Sequence, residues 1–203
     1  GWASGYSTTT GNYNTSIGYG ALQLNTTGAN NTAVGYQAGY SNTIGTFITA
    51  IGYQAAYADN KSAGTTVAIG HAALKANTTG QDNVAIGGYN TLAGNTTGSY
   101  NIGIGREALV TNTTSSYNIA LGFQTLYSNT GASNIGIGYI ALQNNSSGAN
   151  NIGIGHQALF SNTTGSSNTA VGYQAGYSNT TGISIDAFGF RALFSNTTGI
   201  YNV

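Results

Sequence analysis

The chain has 203 residues, with four Lys or Arg, four Asp or Glu, no Cys and no formal net charge. Four scattered cations cannot neutralise a run of phosphates, which argues against a nucleic-acid partner, and the lack of Cys excludes disulfides, thiolate metal sites and a cysteine nucleophile. No stretch approaches the roughly 18 apolar residues that a membrane-spanning helix requires, so we expect no membrane span.

One glycine recurs along the whole sequence at intervals of 16 to 18 residues, most often 17. It always follows a small residue and then an apolar one. Such a short and regular period is typical of solenoid proteins, in which each repeat packs only on its neighbours. This glycine column consists of Gly18, Gly35, Gly52, Gly70, Gly87, Gly105, Gly122, Gly138, Gly155, Gly172 and Gly189.

Each repeat begins with a predicted β-strand of consensus N-T-A-I-G-Y-Q-A. Its alternating character and β-branched residues favour a strand, and the central glycine disfavours a helix. The residue before the glycine is almost always aliphatic, and we expect this aliphatic column to form an interior ladder in which Ile51, Ile69 and Ile86 lie together. The aliphatic column consists of Ile17, Val34, Ile51, Ile69, Ile86, Ile104, Leu121, Ile137, Ile154, Val171 and Phe188.

Only Ala, Gly or Ser occurs two residues before the glycine. This small column leaves room for another backbone, which predicts either closely apposed strands within the coil or close contact between chains. We favour contact within a homotrimer, so Ala33→Phe or Ala170→Phe should prevent assembly. The small column consists of Ser16, Ala33, Ala50, Ala68, Ala85, Gly103, Ala120, Gly136, Gly153, Ala170 and Ala187.

The residue after the glycine is most often an aromatic ring, which predicts a stacked ladder along the axis. His71 and His156 occupy this aromatic column five repeats apart, too far to share a metal ion within one chain. Three copies of His71 would surround an ion if the column faced a trimer axis, but the simpler interpretation is that His replaces Tyr in the stack. The aromatic column consists of Trp2, Tyr19, Tyr36, Tyr53, His71, Arg106, Phe123, Tyr139, His156, Tyr173 and Phe190.

The second half of each repeat is predicted to hold a second short strand over L-x-S-N and a turn over N-T-T-G. Asn tolerates the left-handed region and Gly supplies a positive φ, as such turns require. The Asn of the turn forms an asparagine column, whose amides should hydrogen-bond along the axis. The asparagine column consists of Asn25, Asn42, Asp59, Asn77, Asn112, Asn129, Asn145, Asn162, Asn179 and Asn196.

The same turn creates N-x-S/T sequons, which are candidate glycan acceptors in a secretory host. A regular array of threonines is also a feature of ice-binding solenoids, although Thr26 and Thr27 flank a turn glycine and not a long flat strand. The candidate acceptors are Asn25, Asn77, Asn95, Asn112, Asn162, Asn179 and Asn196.

A single 17-residue coil cannot bury enough apolar surface to offset its ordering entropy, so the coils must stack. We therefore predict an all-β fold, a parallel β-solenoid or β-roll of about twelve coils and about 55–60 Å in length. Residues 1–203 form a single tandem-repeat domain without distinct caps. We expect either a window from a longer array or a subunit whose last coil docks on the first coil of the next, in a head-to-tail filament.

The unit N-T-A-V-G-Y-Q-A, present at residues 31–38 and 168–175, resembles the head repeats of trimeric autotransporter adhesins. That resemblance implies a left-handed parallel β-roll assembled as a homotrimer. The whole chain is also similar to repeat regions of phage-type tail fibres, in which Y-S-N-T-T-G alternates with N-T-A-V-G-Y-Q-A. These resemblances imply an extracellular, cell-surface or virion location.

We therefore expect a structural fibre module that associates with itself, as a rigid rod or a filament subunit. The alternative is an adhesin head that contacts a cell-surface glycan through exposed aromatic ladders, or an ice-binding solenoid. An enzyme is not expected, because the sequence has no G-x-S-x-G elbow and no phosphate-binding G-K-S/T. Three Asp are too few for calcium-binding β-roll repeats, and we predict no catalytic residue, metal or cofactor.

Overall fold

The computed structural model describes residues 1–61 and 64–203. These residues contain eleven short strands that form one sheet in sequence order, with every neighbouring pair parallel. Ten turns of chain therefore lie between the first strand and the eleventh, and the predicted all-β parallel β-solenoid is confirmed. The strands are β1 (Thr15–Ile17), β2 (Thr32–Val34), β3 (Ile48–Ile51), β4 (Thr66–His71), β5 (Asn83–Tyr89), β6 (Ile102–Ile104), β7 (Ile119–Leu121), β8 (Ile135–Ile137), β9 (Ile152–Ile154), β10 (Thr169–Val171) and β11 (Asp186–Phe188).

The strand register follows the repeat of the sequence. Thr15 pairs with Thr32 at an offset of 17 residues, Ile51 with Ile69 at 18, and Ile119 with Ile135 at 16. Local irregularities, such as the register shift between β4 and β5, absorb an extra residue, so equivalent residues stay aligned along the axis. The residues of each predicted column therefore lie next to one another along the axis of the solenoid.

Close stacking of coils explains the glycine column. Gly35 has a φ of +135°, in the region that L side chains rarely adopt, and a Cβ at this position would collide with the carbonyl of Gly52 in the next coil. Both the backbone conformation and the space between coils therefore require glycine here.

The predicted second strand over L-x-S-N is wrong, because the chain bends at its leucine. Leu22, Leu109 and Leu159 have φ values of 48°, 54° and 50°, and a left-handed residue ends an extended segment. The bend still hydrogen-bonds along the axis, since the Leu22 N–H donates to the Ala38 carbonyl at 3.0 Å. Each coil is thus one short strand followed by a chain of tight turns.

The core is narrow and consists of small residues and leucines. Ala33 and Ala170 are fully buried in the small column, and they face a leucine column that lies four residues after the glycine, or five after Gly87. The fit is tight, since a Cβ added to Gly153 would lie 3.2 Å from Leu142 Cδ1. The leucine column consists of Leu22, Leu74, Leu92, Leu109, Leu126, Leu142 and Leu159.

Two predictions about the strands are wrong. Ile51, Ile69 and Ile86 do share one column, but that column lies on the outer face of the sheet, where 38% of Ile51 is exposed. The small column lies in the core of the chain itself and not at a contact between chains, so Ala33→Phe and Ala170→Phe would disrupt the coil directly. Each three-residue strand has one inward position. The core is narrow, so only a small side chain fits at this position of the strand.

Candidate functional site

The outer face of the sheet carries two aliphatic side chains per strand in the middle of the solenoid. In β6, Ile102 and Ile104 point outward on either side of the buried Gly103. Strands β4 to β9 all follow this pattern. We call these twelve side chains the outer patch, and they are Val67, Ile69, Val84, Ile86, Ile102, Ile104, Ile119, Leu121, Ile135, Ile137, Ile152 and Ile154.

Threonine replaces the first outward residue toward both ends of the sheet. It occupies this position in β1, β2 and β3 as Thr15, Thr32 and Thr49, and in β10 as Thr169. In β11 the position belongs to Asp186, which is exposed. Toward the ends the first outward position is therefore polar, whereas the second stays apolar from Ile17 to Phe188.

The aromatic column stacks along the edge of this face, as predicted. Tyr36 lies between Tyr19 and Tyr53, with ring centroids 5.4 and 5.3 Å apart and ring planes within 10°. The rings therefore turn their faces to one another along the axis and present their edges to solvent. A sugar ring stacks on an aromatic face, so the side of this column offers little surface for that contact.

Tyr89 also belongs to the aromatic column, although the sequence interval misplaces it by one residue. The extra Gly88 lies where β4 and β5 shift register, and His71 consequently pairs with Tyr89. The signal that identifies Tyr89 is the second glycine of Gly87-Gly88, which shifts the following residues by one. Asn95 enters the asparagine column through the same shift and donates to Asn77 Oδ1 at 2.9 Å.

Both histidines are stacked members of the aromatic column. His71 lies 4.9 Å from Tyr53 and 5.0 Å from Tyr89, and His156 lies 5.1 Å from both Tyr139 and Tyr173. The interpretation that His replaces Tyr in the stack is confirmed. Within residues 1–61 and 64–203, no group of three or more His, Cys, Asp or Glu side chains could hold a metal ion.

The asparagine column is buried and bonded in two directions. Asn162 Nδ2 donates to Asn145 Oδ1 in the preceding coil at 2.7 Å and to the Gly165 carbonyl of its own turn at 2.9 Å. In return, Asn162 Oδ1 accepts from Asn179 Nδ2 at 3.0 Å. The Asn162 amide therefore both closes its turn and joins neighbouring coils.

This burial contradicts the prediction of glycan acceptors for six of the seven residues. Asn25, Asn77, Asn95, Asn112, Asn162 and Asn179 are fully buried, and the amide nitrogen that would carry a sugar donates hydrogen bonds inside the coil. A glycan on this nitrogen would remove a donor and has no space in the turn. Asn196 is partly exposed but also donates to Asn179 Oδ1 at 3.1 Å.

The threonine hydroxyls next to this column also bond within the solenoid. Thr26 Oγ1 donates to the Thr43 carbonyl of the next coil at 2.9 Å, and Thr163 Oγ1 donates to the Thr180 carbonyl at 3.0 Å. Their hydroxyl protons are therefore directed along the axis and not toward solvent. Thr27 and its equivalents remain exposed, but they form one row beside a turn.

A buried ion pair interrupts the asparagine column at Asp59. Lys61 Nζ donates to both oxygens of Asp59, at 3.1 and 2.9 Å, and both residues are at most 3% exposed. Thr66 Oγ1 and Asn77 Nδ2 also donate to Asp59 Oδ2, at 2.7 and 3.2 Å. The charges of this cluster are therefore paired with one another and with neutral donors inside the coil.

The part of the chain that the structure describes contains no pocket. It also contains no helix that is long and apolar enough to cross a membrane. No protein-family model, curated protein or solved structure matches this chain. The surface that stands out is therefore the outer patch with the aromatic column at its edge.

Proposed function

We propose that this chain is a structural module of an extracellular or virion fibre, a rigid repetitive rod that associates with further copies. The observation that carries the proposal is the continuity of bonding along the axis. Backbone, asparagine amides, threonine hydroxyls and aromatic rings each link one coil to the next. A rod whose neighbouring coils are joined through several kinds of contact resists bending, stretching and proteolysis.

The extracellular or virion setting rests on the resemblance of N-T-A-V-G-Y-Q-A to adhesin-head and tail-fibre repeats. The same resemblance implies a homotrimer, and head-to-tail docking would extend the rod into a filament. We do not extend the proposal to glycan adhesion, because the aromatic column offers ring edges along its side. Ice binding is not proposed either, because the middle of the outer face is aliphatic and threonine appears only toward its ends.

The test is negative-stain or cryogenic imaging of the purified 203-residue chain, combined with limited proteolysis. We expect rods about 50 Å long, set by eleven strands at about 4.8 Å spacing, or filaments built from such rods, and slow cleavage. A matched control is Ala170→Phe, which overfills the core and should abolish both the rod shape and the protease resistance. Globular particles that are cleaved as fast as the control would overturn the proposal.

A further inference from the structure

The ion pair of Asp59 and Lys61 has a third partner in the next coil. Asn77 Nδ2 donates to Asp59 Oδ2 at 3.2 Å, and Lys61 Nζ donates to the same oxygen at 2.9 Å. All three residues are at most 3% exposed. An amine, a carboxylate and a carboxamide therefore meet at one buried oxygen atom.

This combination of groups distinguishes the site from the regular asparagine column. In a regular coil the amide of Asn162 donates to the neutral amide oxygen of Asn145. At Asn77 the acceptor is a carboxylate that also holds an ammonium group. The chain has only one other lysine, Lys75, and that residue is exposed. The site thus contains a nucleophile, an acid–base group and an acyl group, which together are sufficient for amide exchange.

The reacting groups are held in place by further hydrogen bonds. Asn95 Nδ2 donates to Asn77 Oδ1 at 2.9 Å, and a donor fixed at this oxygen stabilises the negative charge that forms there when an amine attacks Cγ. Thr66 Oγ1 donates to Asp59 Oδ2 at 2.7 Å and accepts from Lys61 Nζ. The fold therefore keeps the amine next to the carboxylate and restricts its motion, which favours an intramolecular reaction.

We propose that Lys61 and Asn77 form an intramolecular amide bond, with Asp59 as the acid–base catalyst. Asp59 takes one proton from the Lys61 ammonium group, and the lone pair of the neutral amine attacks Asn77 Cγ. The carbonyl electrons move to Oδ1 and return as the bond between Cγ and Nδ2 breaks. Asp59 gives its proton to Nδ2, which leaves as ammonia, and then takes the surplus proton from Nζ. Atoms and charges balance without a further reactant.

The product replaces a buried ion pair with neutral groups. Lys61 becomes part of an amide, and Asp59 becomes a carboxylic acid. Because buried charges carry a desolvation cost, the interior of the coil favours this exchange. Newly folded chain holds the ion pair as the structure shows it, and the fraction with the amide bond grows on incubation. The bond adds a covalent link between two neighbouring coils.

The test is mass spectrometry of the purified 203-residue chain, newly folded and after incubation at physiological temperature. We expect the incubated chain to be lighter by one ammonia, about 17 Da. Tryptic digestion of the denatured product locates the bond, because trypsin does not cleave after a lysine whose amine has become an amide. Residues 1–75 and 76–106 should then appear as one linked species, and the peptide of residues 62–75 should be lost.

Two substitutions and one change of solvent serve as controls. Lys61→Arg keeps a positive charge beside Asp59 but carries a guanidinium that stays protonated in proteins, so its mass should not change. Lys75→Arg makes the same exchange at the exposed lysine and should lose ammonia as the wild-type chain does. Wild-type chain incubated in denaturant should keep its full mass, and this comparison decides the matter if Lys61→Arg does not fold.

Three results would contradict the inference. The first is a folded wild-type chain that keeps its full mass and is still cleaved after Lys61. The second is a loss of ammonia in Lys61→Arg, or in a wild-type chain that is still cleaved after Lys61, since an asparagine would then have cyclised on the backbone. The third is a loss of one water, about 18 Da, which would place the bond at Asp59 and not at Asn77. None of these results bears on the proposed rod, which imaging tests independently.

Discussion

The turns around Asn162 and Asp59 occupy the same place in the solenoid, but they hold their buried polar group differently. Asn162 donates to the coil before it and accepts from the coil after it. Asp59 is also fully buried, yet a carboxylate has no proton to donate, so it only accepts. Lys61 supplies a donor that the regular coils do not need, whereas Thr66 donates from a position at which Asn168 also donates to Asn162 Oδ1.

A repeat of this solenoid therefore holds a buried charge through changes at several residues together. Thr66 stands in the position that Asn31 and Asn83 occupy in other coils, and Lys61 turns its amine inward to the carboxylate. Because an unpaired buried charge is costly, we expect neither Asp59 nor Lys61 to be tolerated alone. Substitutions at the two sites should therefore differ in their effect on stability.

The largest effect is expected for Lys61→Met, which keeps an apolar stem of similar length and removes the amine. Among the described residues, Thr66 and Asn77 would remain as side-chain donors to the buried Asp59, and the free energy of unfolding should fall by about 3–5 kcal/mol. Guanidinium denaturation followed by circular dichroism measures this loss. The double variant Asp59→Asn with Lys61→Met restores a neutral amide and should recover most of it. A loss below about 1 kcal/mol in the single variant would mean that the pair is dispensable.

A smaller effect is expected for Asn162→Ala in the regular part of the column. The substitution removes the donor to Asn145 and to Gly165 and the acceptor of Asn179. Leaving buried groups without partners should lower the free energy of unfolding by about 1–3 kcal/mol. Thr164→Ala is the control, since this exposed residue of the same turn should change stability by no more than about 0.5 kcal/mol. Equal effects of the two substitutions would show that the amide ladder contributes nothing.

Much of this architecture can be predicted from the sequence, because ladders need only the repeat interval. The intervals of 16 to 18 residues give the register of Thr15 with Thr32 and of Ile51 with Ile69, as the strands have it. The stacking of His71 follows from the same alignment. These features depend on which residues are equivalent and not on which way they point.

The repeat interval could not predict whether the side chains of a column point into the core or away from it. A strand that alternates small and aliphatic residues has two faces, and apolarity alone assigns the aliphatic one to the core. The outcome depends on the width of the coil, which the left-handed bend at residues such as Leu109 makes narrow. Leucine is uncommon at positive φ, so neither the bend nor the inward direction of Gly103 is evident from composition.

The short coil between Asn129 and Asn145 gives a third test, of about 1 kcal/mol. Its turn has the sequence N-T-G and lacks one threonine. Asn129 Nδ2 donates to the Gly131 carbonyl. In the described part of the chain, Asn112 Oδ1 is buried without a hydrogen-bond partner. Inserting Thr between Thr130 and Gly131 should let Asn129 reach Asn112 and raise the free energy of unfolding by about 1 kcal/mol. The same insertion between Thr164 and Gly165 should be destabilising. The explanation fails if both insertions shift the denaturation midpoint in the same direction.

The smallest effect concerns Arg106, the one member of the aromatic column without a ring. Its guanidinium lies 5.7 Å from the centroid of Tyr89 and 6.0 Å from that of Phe123, near the limit of a cation–π contact. Arg106→Tyr would make two ring–ring contacts in the column. It would also remove the ion pair between Arg106 and Glu107, which is 3.7 Å long and in which the arginine side chain is mostly exposed to solvent. Because stacked pairs contribute more than a long cation–π contact or an exposed ion pair, we expect a gain of about 0.5–1 kcal/mol in the free energy of unfolding. Arg106→Leu removes the same charge without adding a ring and should give no such gain. Equal stability of the two variants would mean that burial of apolar surface, and not ring stacking, holds the aromatic column together.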